Sequence, residues 1–133
     1  LPTTPLPPKP STTALFPKLG PARIGVAAID ASGRVREKTL LRALGWRAGE
    51  ALDLRIADQT AALWPAPYGS IHVDSRDQFA LPRGCRTLLG IEAGDRVLLA
   101  ASTEINVLLV YSAPVVVEWI RQHLADHFEV LHV

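Results

Sequence analysis

Residues 73–95 read VDSRDQFALPRGCRTLLGIEAGD, and a related stretch, IDASGRVREKTLLRALGWRAGEAL, occupies residues 29–52. Asp74 follows Asp30 by 44 residues and Gly90 follows Gly45 by 45, so the stretches align with one residue inserted between strand and helix. An internal repeat outranks other patterns when a fold is inferred from sequence. The repeat predicts that the chain contains one structural unit twice.

Each unit is predicted to contain an apolar strand, a turn, a short second strand, a short helix and two further strands. Leu40, Leu41 and Leu44 lie on one face of the first helix. Gly45 and Gly90 stand where a helix needs a left-handed terminating residue. Two hairpins are predicted to follow the helices: residues 51–56 with 61–64 around Asp58-Gln59, and residues 96–101 with 105–111 around residues 102–104.

The two ends of the chain differ from the repeats. Seven of the eleven prolines lie in the first 21 residues, so residues 1–22 are predicted to be an extended, disordered leader. A docking motif for an aromatic groove is the alternative. In residues 112–133, apolar Val116, Ile120, Leu124 and Phe128 recur every four residues. This spacing predicts an amphipathic helix that begins at Pro114 and either covers the sheet or forms a homodimer with another copy.

Composition excludes several classes of protein. The net charge is +1, and 48% of the residues are hydrophobic, which is enough to build a core. A single cysteine excludes an internal disulfide framework. The chain has no run of about 18 apolar residues and no secretory signal pattern, so we expect a cytoplasmic protein without a membrane span. No catalytic or phosphate-binding motif is present, and we therefore expect no enzymatic activity, no cofactor and no small-molecule substrate.

The motif in residues 73–95 resembles the AbrB/MazE/SpoVT swapped-hairpin family. The resemblance rests on Asp74, a strand ending in Leu81-Pro82, a short helix with an arginine, and the run Leu89-Gly90-Ile91 followed by Gly94-Asp95. The first unit keeps Asp30, Gly33-Arg34 and Leu44-Gly45. The resemblance implies a mainly β fold in which units 23–65 and 70–111 interlock into one β-barrel per chain. Exchange of each unit with a second chain is the alternative.

The family's transcription regulators bind DNA through arginines at the first turn and on the short helix. The turn position corresponds to Arg34 and Gln78 here, and the helix positions include Arg42 and Arg86. The resemblance therefore implies double-stranded DNA as the partner. The predicted contacts are Arg34, Arg36, Lys38, Arg42, Arg76, Arg83 and Arg86. The alternative is a non-catalytic protein-interaction or antitoxin-like module.

Other residues that often carry chemistry are expected to be structural. Trp46 and Trp64 follow apolar segments and are predicted to pack in the core or at its rim. Cys85 takes an apolar helix position and is predicted to be a buried, inert thiol. His123 and His127 are four residues apart on one helix, but two histidines without a third ligand do not predict a metal site.

Overall fold

A computed structural model describes residues 22–131, with side chains described through residue 125. The strands are β1 (Ala22–Ala28), β2 (Arg34–Arg36), β3 (Ala51–Ala57), β4 (Thr60–Pro65), β5 (Ile71–His72), β6 (Gln78–Ala80), β7 (Arg96–Ser102) and β8 (Val107–Ser112). The helices are α1 (Lys38–Leu44), α2 (Arg83–Leu89) and α3 (Ala113–Leu131). The predicted leader lies outside the described residues, except for its last residue, Ala22.

The two repeated stretches have the same order of elements: two strands, a short helix and two more strands. Four antiparallel ladders join the two stretches, because β1 pairs with β7, β3 with β5, β2 with β6 and β4 with β8. Within a stretch, the hairpins β3–β4 and β7–β8 form as the sequence predicts. The two stretches are therefore interleaved in a single folded unit.

Backbone hydrogen bonds outside the strands also join the two stretches, at equivalent positions of the repeat. The backbone N–H of Ile29 donates to the carbonyl of Asp95 at 2.9 Å. The N–H of Val73 donates to the carbonyl of Glu50 at 3.0 Å. These four residues occupy equivalent positions of the repeat, so each stretch uses the other in the same way.

The sheet has six strands in the order β1-β7-β8-β4-β3-β5, and β2 and β6 form a separate two-stranded ribbon. The expected class, mainly β with short helices and a C-terminal helix, is confirmed. Among the described residues, no ladder joins β1 to β5. The sheet is therefore open in its hydrogen bonding, and the closed ring of the expected barrel is not found.

One face of the sheet forms the main core. Leu52, Leu63 and Leu99 on its central strands are fully buried, together with Leu41 of α1 and Phe79 of β6. Alternation along each strand points these side chains toward the ribbon and the two short helices. The helices and the ribbon therefore cover the inner face of the sheet, and they hold the candidate site described below.

The two short helices end where the sequence predicts. The residues that follow them, Gly45 and Gly90, have φ angles of 75° and 66°. On their inner faces α1 buries Leu40 and Leu41, whereas α2 buries Cys85 and Leu89. Burial raises the pKa of the Cys85 thiol to about 11, which agrees with an unreactive core cysteine.

The outer face of the sheet is covered in part by α3. Val116 and Trp119 pack against it, and the Trp119 ring meets Tyr111 edge-on with 5.0 Å between ring centroids. The predicted apolar stripe does not pack along its whole length, because Ile120 and Leu124 are 54% and 57% exposed. The side chain of Phe128 lies outside the described residues. None of the helices in residues 22–131 combines the length and the apolar character that crossing a membrane requires.

Candidate nucleic-acid interface

The β2–β6 ribbon presents its arginines on the side away from the core. Val35 pairs with Phe79 at the centre of the ribbon, and both side chains are buried. Because side chains alternate between the two faces of a strand, the neighbours of Val35 point outward. Arg34 and Arg36 are accordingly exposed. The outer face of β2 therefore carries two guanidinium groups.

An aspartate organises the turn that precedes β2. The Oδ1 atom of Asp30 accepts hydrogen bonds from the backbone N–H groups of Ser32 and Arg34, at 2.9 and 2.8 Å. Its Oδ2 atom accepts a bond from Nε of Arg34 at 2.8 Å. The backbone N–H of Arg34 is the largest cause that lowers the pKa of Asp30, and the Arg34 side chain adds to the shift. The charged carboxylate therefore holds the turn and orients Arg34.

Asp74 does the same in the second stretch. Its Oδ1 accepts the N–H of Arg76 at 2.8 Å, and its Oδ2 accepts Nε2 of Gln78 at 2.8 Å. Desolvation raises the pKa of Asp74, but the hydrogen bonds from Gln78 and Arg76 outweigh it and leave the pKa lowered. The charge of Arg34 contributes in the same direction. The turns of the two stretches therefore lie close enough to interact electrostatically.

Each short helix contacts the turn of the other stretch. In α1, Nη2 of Arg42 lies 3.7 Å from Oδ2 of Asp77 in the second turn. In α2, Nε of Arg86 donates to the carbonyl of Leu81 at 3.1 Å and lies beside Gly33 in the first turn. The ribbon, both turns and both helices thus form one continuous assembly built from the two stretches.

Arg86 is placed differently from the other predicted contacts. It is half-buried, and its Nε donates to the Leu81 carbonyl. The equivalent residue of the first stretch is Leu41, which is fully buried. Arg86 therefore occupies an inward position of its helix and ties α2 to the Gly33 turn, so we omit it from the contacts proposed below.

The remaining predicted residues divide into two groups. Arg34 and Arg42 are exposed, and each forms an ion pair with one carboxylate. The second group is exposed and makes no ion pair with any described residue: Arg36, Lys38, Arg76 and Arg83. Lys38 and Arg83 are the first residues of α1 and α2. The assembly therefore keeps unpaired positive charge on the ribbon, one turn and both helix starts.

Two aspartates that fix side chains of the site were not predicted as part of it. The sequence marks Asp30 and Asp74 as turn residues, but the structure shows that each also fixes a side chain four residues later. The signal was available, because both copies place a long polar side chain, Arg34 or Gln78, four residues after the aspartate. Because the four-residue spacing occurs in both copies, it indicates that each aspartate binds that side chain in addition to forming the turn.

Other candidate residues serve the core. Trp46 and Trp64 are buried, as predicted, and Nε1 of Trp46 donates to Oδ1 of Asn106 at 2.8 Å. In the part of the chain that the structure describes, no three His, Cys, Asp or Glu side chains come together as a metal site would require. The side chain of His127, which the sequence pairs with His123, lies outside that part.

The geometry is thus that of an antiparallel ribbon with arginines on its outer face, flanked by two helices that begin with a basic residue. Comparisons with known protein families, with curated proteins and with solved structures give no match to this chain.

Proposed function

We propose that this protein binds double-stranded DNA through the β2–β6 ribbon and its flanking helices and acts as a transcription regulator in the cytoplasm. The single observation that carries the proposal is the outer face of the ribbon, where Arg34 and Arg36 project from one strand. The major groove of B-DNA accepts a two-stranded β-ribbon, and arginine is the commonest residue that contacts guanine there.

The surroundings of the ribbon support the same function. Lys38 and Arg83 begin the helices on its two sides, and Arg76 lies in the turn before β6. Basic side chains without carboxylate partners are available to neutralise phosphates, which supplies most of the affinity for a duplex. The interleaved pairing of the two stretches also supports a single-chain form of the AbrB-type swapped-hairpin arrangement, built on an open sheet, which we include in the proposal.

The salt dependence of duplex binding tests this function. Four cations of the site make no ion pair with a described residue. At about −0.9 per phosphate contact, they predict that the logarithm of the binding constant falls with the logarithm of the salt concentration with a slope of about −3.6. Arg36→Ala should reduce the slope to about −2.7. Between about 50 and about 200 mM salt, the affinity should then fall about 40-fold instead of about 150-fold.

A matched control comes from the sheet. Arg55 on β3 is exposed and forms no ion pair with a described residue, but it lies outside the ribbon and its helices. Arg55→Ala should leave the slope of the unmodified protein unchanged. Absent binding, binding insensitive to salt, or equal slopes for the Arg36 and Arg55 variants would contradict the proposal.

The second candidate function is a protein-interaction module formed by α3. Val117, Ile120 and Leu124 are exposed over more than half of their surface, at the three-and-four spacing of a helix-pairing seam. Glu118 and Arg121 lie 3.4 Å apart, so the charges beside the seam cancel within one helix. Two copies could therefore approach without net repulsion, and the occupant we propose is a second copy of this chain.

The molar mass in solution tests the second candidate. Light scattering after gel filtration should give a dimer for the unmodified protein and a monomer for Ile120→Asp combined with Leu124→Asp. Gln122→Asp changes an exposed polar residue of the same helix and should leave the mass unchanged. A monomeric unmodified protein would contradict this candidate without affecting the proposal of DNA binding.

A further inference from the structure

The ribbon has an internal two-fold relation whose two halves present different side chains. Val35 faces Phe79 at its centre, and the pairing runs symmetrically outward from there. The same relation makes two more pairs of positions equivalent: Arg34 with Gln78, and Arg36 with Ala80. Two identical subunits would present the same side chains on both halves, but a tandem chain need not.

The first pair of positions differs in what it offers to a ligand. Asp30 binds Arg34 through Nε alone, and neither Nη of Arg34 forms a hydrogen bond with a described residue. The side chain of Arg34 is 45% exposed. At the equivalent position, Gln78 is only 8% exposed and gives its Nε2 to Asp74. The two equivalent aspartates therefore have different effects. Asp30 leaves the Nη atoms of Arg34 exposed to a ligand, whereas Asp74 binds the amide of Gln78 in a buried position.

The second pair of positions differs in the same direction. Arg36 is exposed and makes no ion pair with a described residue, whereas the side chain of Ala80 at the equivalent position has no polar group. By contrast, the first residues of the two helices, Lys38 and Arg83, are both cations. Both halves can therefore contact phosphates, the β6 half also through Arg76 in its turn, but on the ribbon itself only β2 carries arginines.

We infer that this protein reads a DNA site without two-fold symmetry, in which the half beside β2 contains guanine and the half beside β6 is held only through its phosphates. The inference rests on the proposed DNA binding. The free Nη atoms of Arg34 match O6 and N7 of guanine, a contact that sets sequence preference, whereas phosphate contacts carry none directly.

Selection of bound duplexes from a randomised library tests the inference. The unmodified protein should enrich a site with guanine in one half only. Arg34→Gln, which copies the residue of the other half, should reduce discrimination at that guanine by about 5-fold to about 150-fold. Gln78→Arg combined with Ala80→Arg should enrich an inverted repeat, because Asp74 can hold the new arginine as Asp30 holds Arg34. Arg55→Ala is the control and should enrich the site of the unmodified protein.

The outcomes separate this inference from the function on which it rests. An inverted repeat for the unmodified protein would overturn the inference while DNA binding stands, and so would enrichment without any preferred sequence. A one-sided site that the Gln78 and Ala80 double variant leaves unchanged would also overturn it. No enrichment of any duplex would overturn both.

Discussion

Substitution of Gly33 by alanine probes the contact between the two stretches. Gly33 has a φ angle of +80°, and a Cβ added there would lie 2.6 Å from Nε of Arg86 and 2.7 Å from the carbonyl oxygen of Leu81. Leu81 cannot move away freely, because its N–H donates to the Gly33 carbonyl at 2.8 Å. Gly45 is the matched control, since its φ angle is +75° but an added Cβ would meet no atom within 4 Å.

The expected losses in free energy of unfolding follow from these distances. An L-residue in the left-handed region costs about 1–2 kcal/mol, and this cost applies to both substitutions. Forcing a methyl group into a packed site adds about 1–3 kcal/mol, and this cost applies to Gly33→Ala alone. We therefore expect a loss of about 1–2 kcal/mol for Gly45→Ala and of about 2–5 kcal/mol for Gly33→Ala.

Urea unfolding followed by tryptophan fluorescence measures both losses. Gly33→Ala in a background of Arg86→Ala should recover only part of the loss, because the Leu81 carbonyl still meets the added methyl group. If Gly33→Ala costs no more than Gly45→Ala, the Gly33 turn does not contact the second stretch, and the interleaved arrangement is refuted at this point.

Three further predictions concern the hydrogen bonds and titrating groups of the fold. Trp46→Phe removes the bond to Asn106 and should lower the free energy of unfolding by about 1–2 kcal/mol, measured by urea titration. The pKa of Asp74 is lowered from its ordinary value of 3.8, so its charge stabilises the fold above that pH. Asp74→Asn should therefore cost stability near neutral pH and lose its effect as the pH falls below 3.8, measured by unfolding at several pH values. Burial and a pKa of about 11 should protect Cys85 from alkylation near pH 8 until the protein is unfolded, measured by mass spectrometry.

Each of these predictions has a contradicting result. An equal loss for Trp46→Phe in the unmodified protein and in an Asn106→Gly background would show that the hydrogen bond contributes nothing. A constant effect of Asp74→Asn down to acidic pH would show that the carboxylate is not stabilised by its hydrogen bonds. Rapid alkylation of Cys85 without denaturant would show that the thiol is accessible.

Local features of the fold could be predicted from the sequence because they depend on neighbouring residues. The hairpin around Asp58-Gln59 and the helix ends before Gly45 and Gly90 are such features. That the two stretches interlock was expected only from the family resemblance, and the sequence named no partner for β1 or β5. Alternation of apolar residues defines the faces of a strand but not the strand that lies beside it, which depends on residues distant in the chain.

The site and the C-terminal helix show the same limit. The pattern of four residues identifies the apolar stripe of α3, but the way the helix crosses the sheet decides that Trp119 packs and Leu124 does not. Arg34 and Arg36 of the ribbon were named as candidate contacts from the sequence, and the structure places both side chains at the surface. The inward position of Arg86 could have been inferred from its alignment with Leu41, since an apolar residue in one copy marks a core position in both.

The pairing of β1 with β7 also constrains how the chain reaches its native state. In this ladder Ala22 pairs with Ser102, a residue 80 positions later in the chain, so β1 cannot pair until β7 has been synthesised. Contacts of such long range make folding slow. During synthesis, the first stretch can form its β3–β4 hairpin, but β1 has no partner until β7 has been made, so the two stretches become ordered together only after β7 and β8 exist.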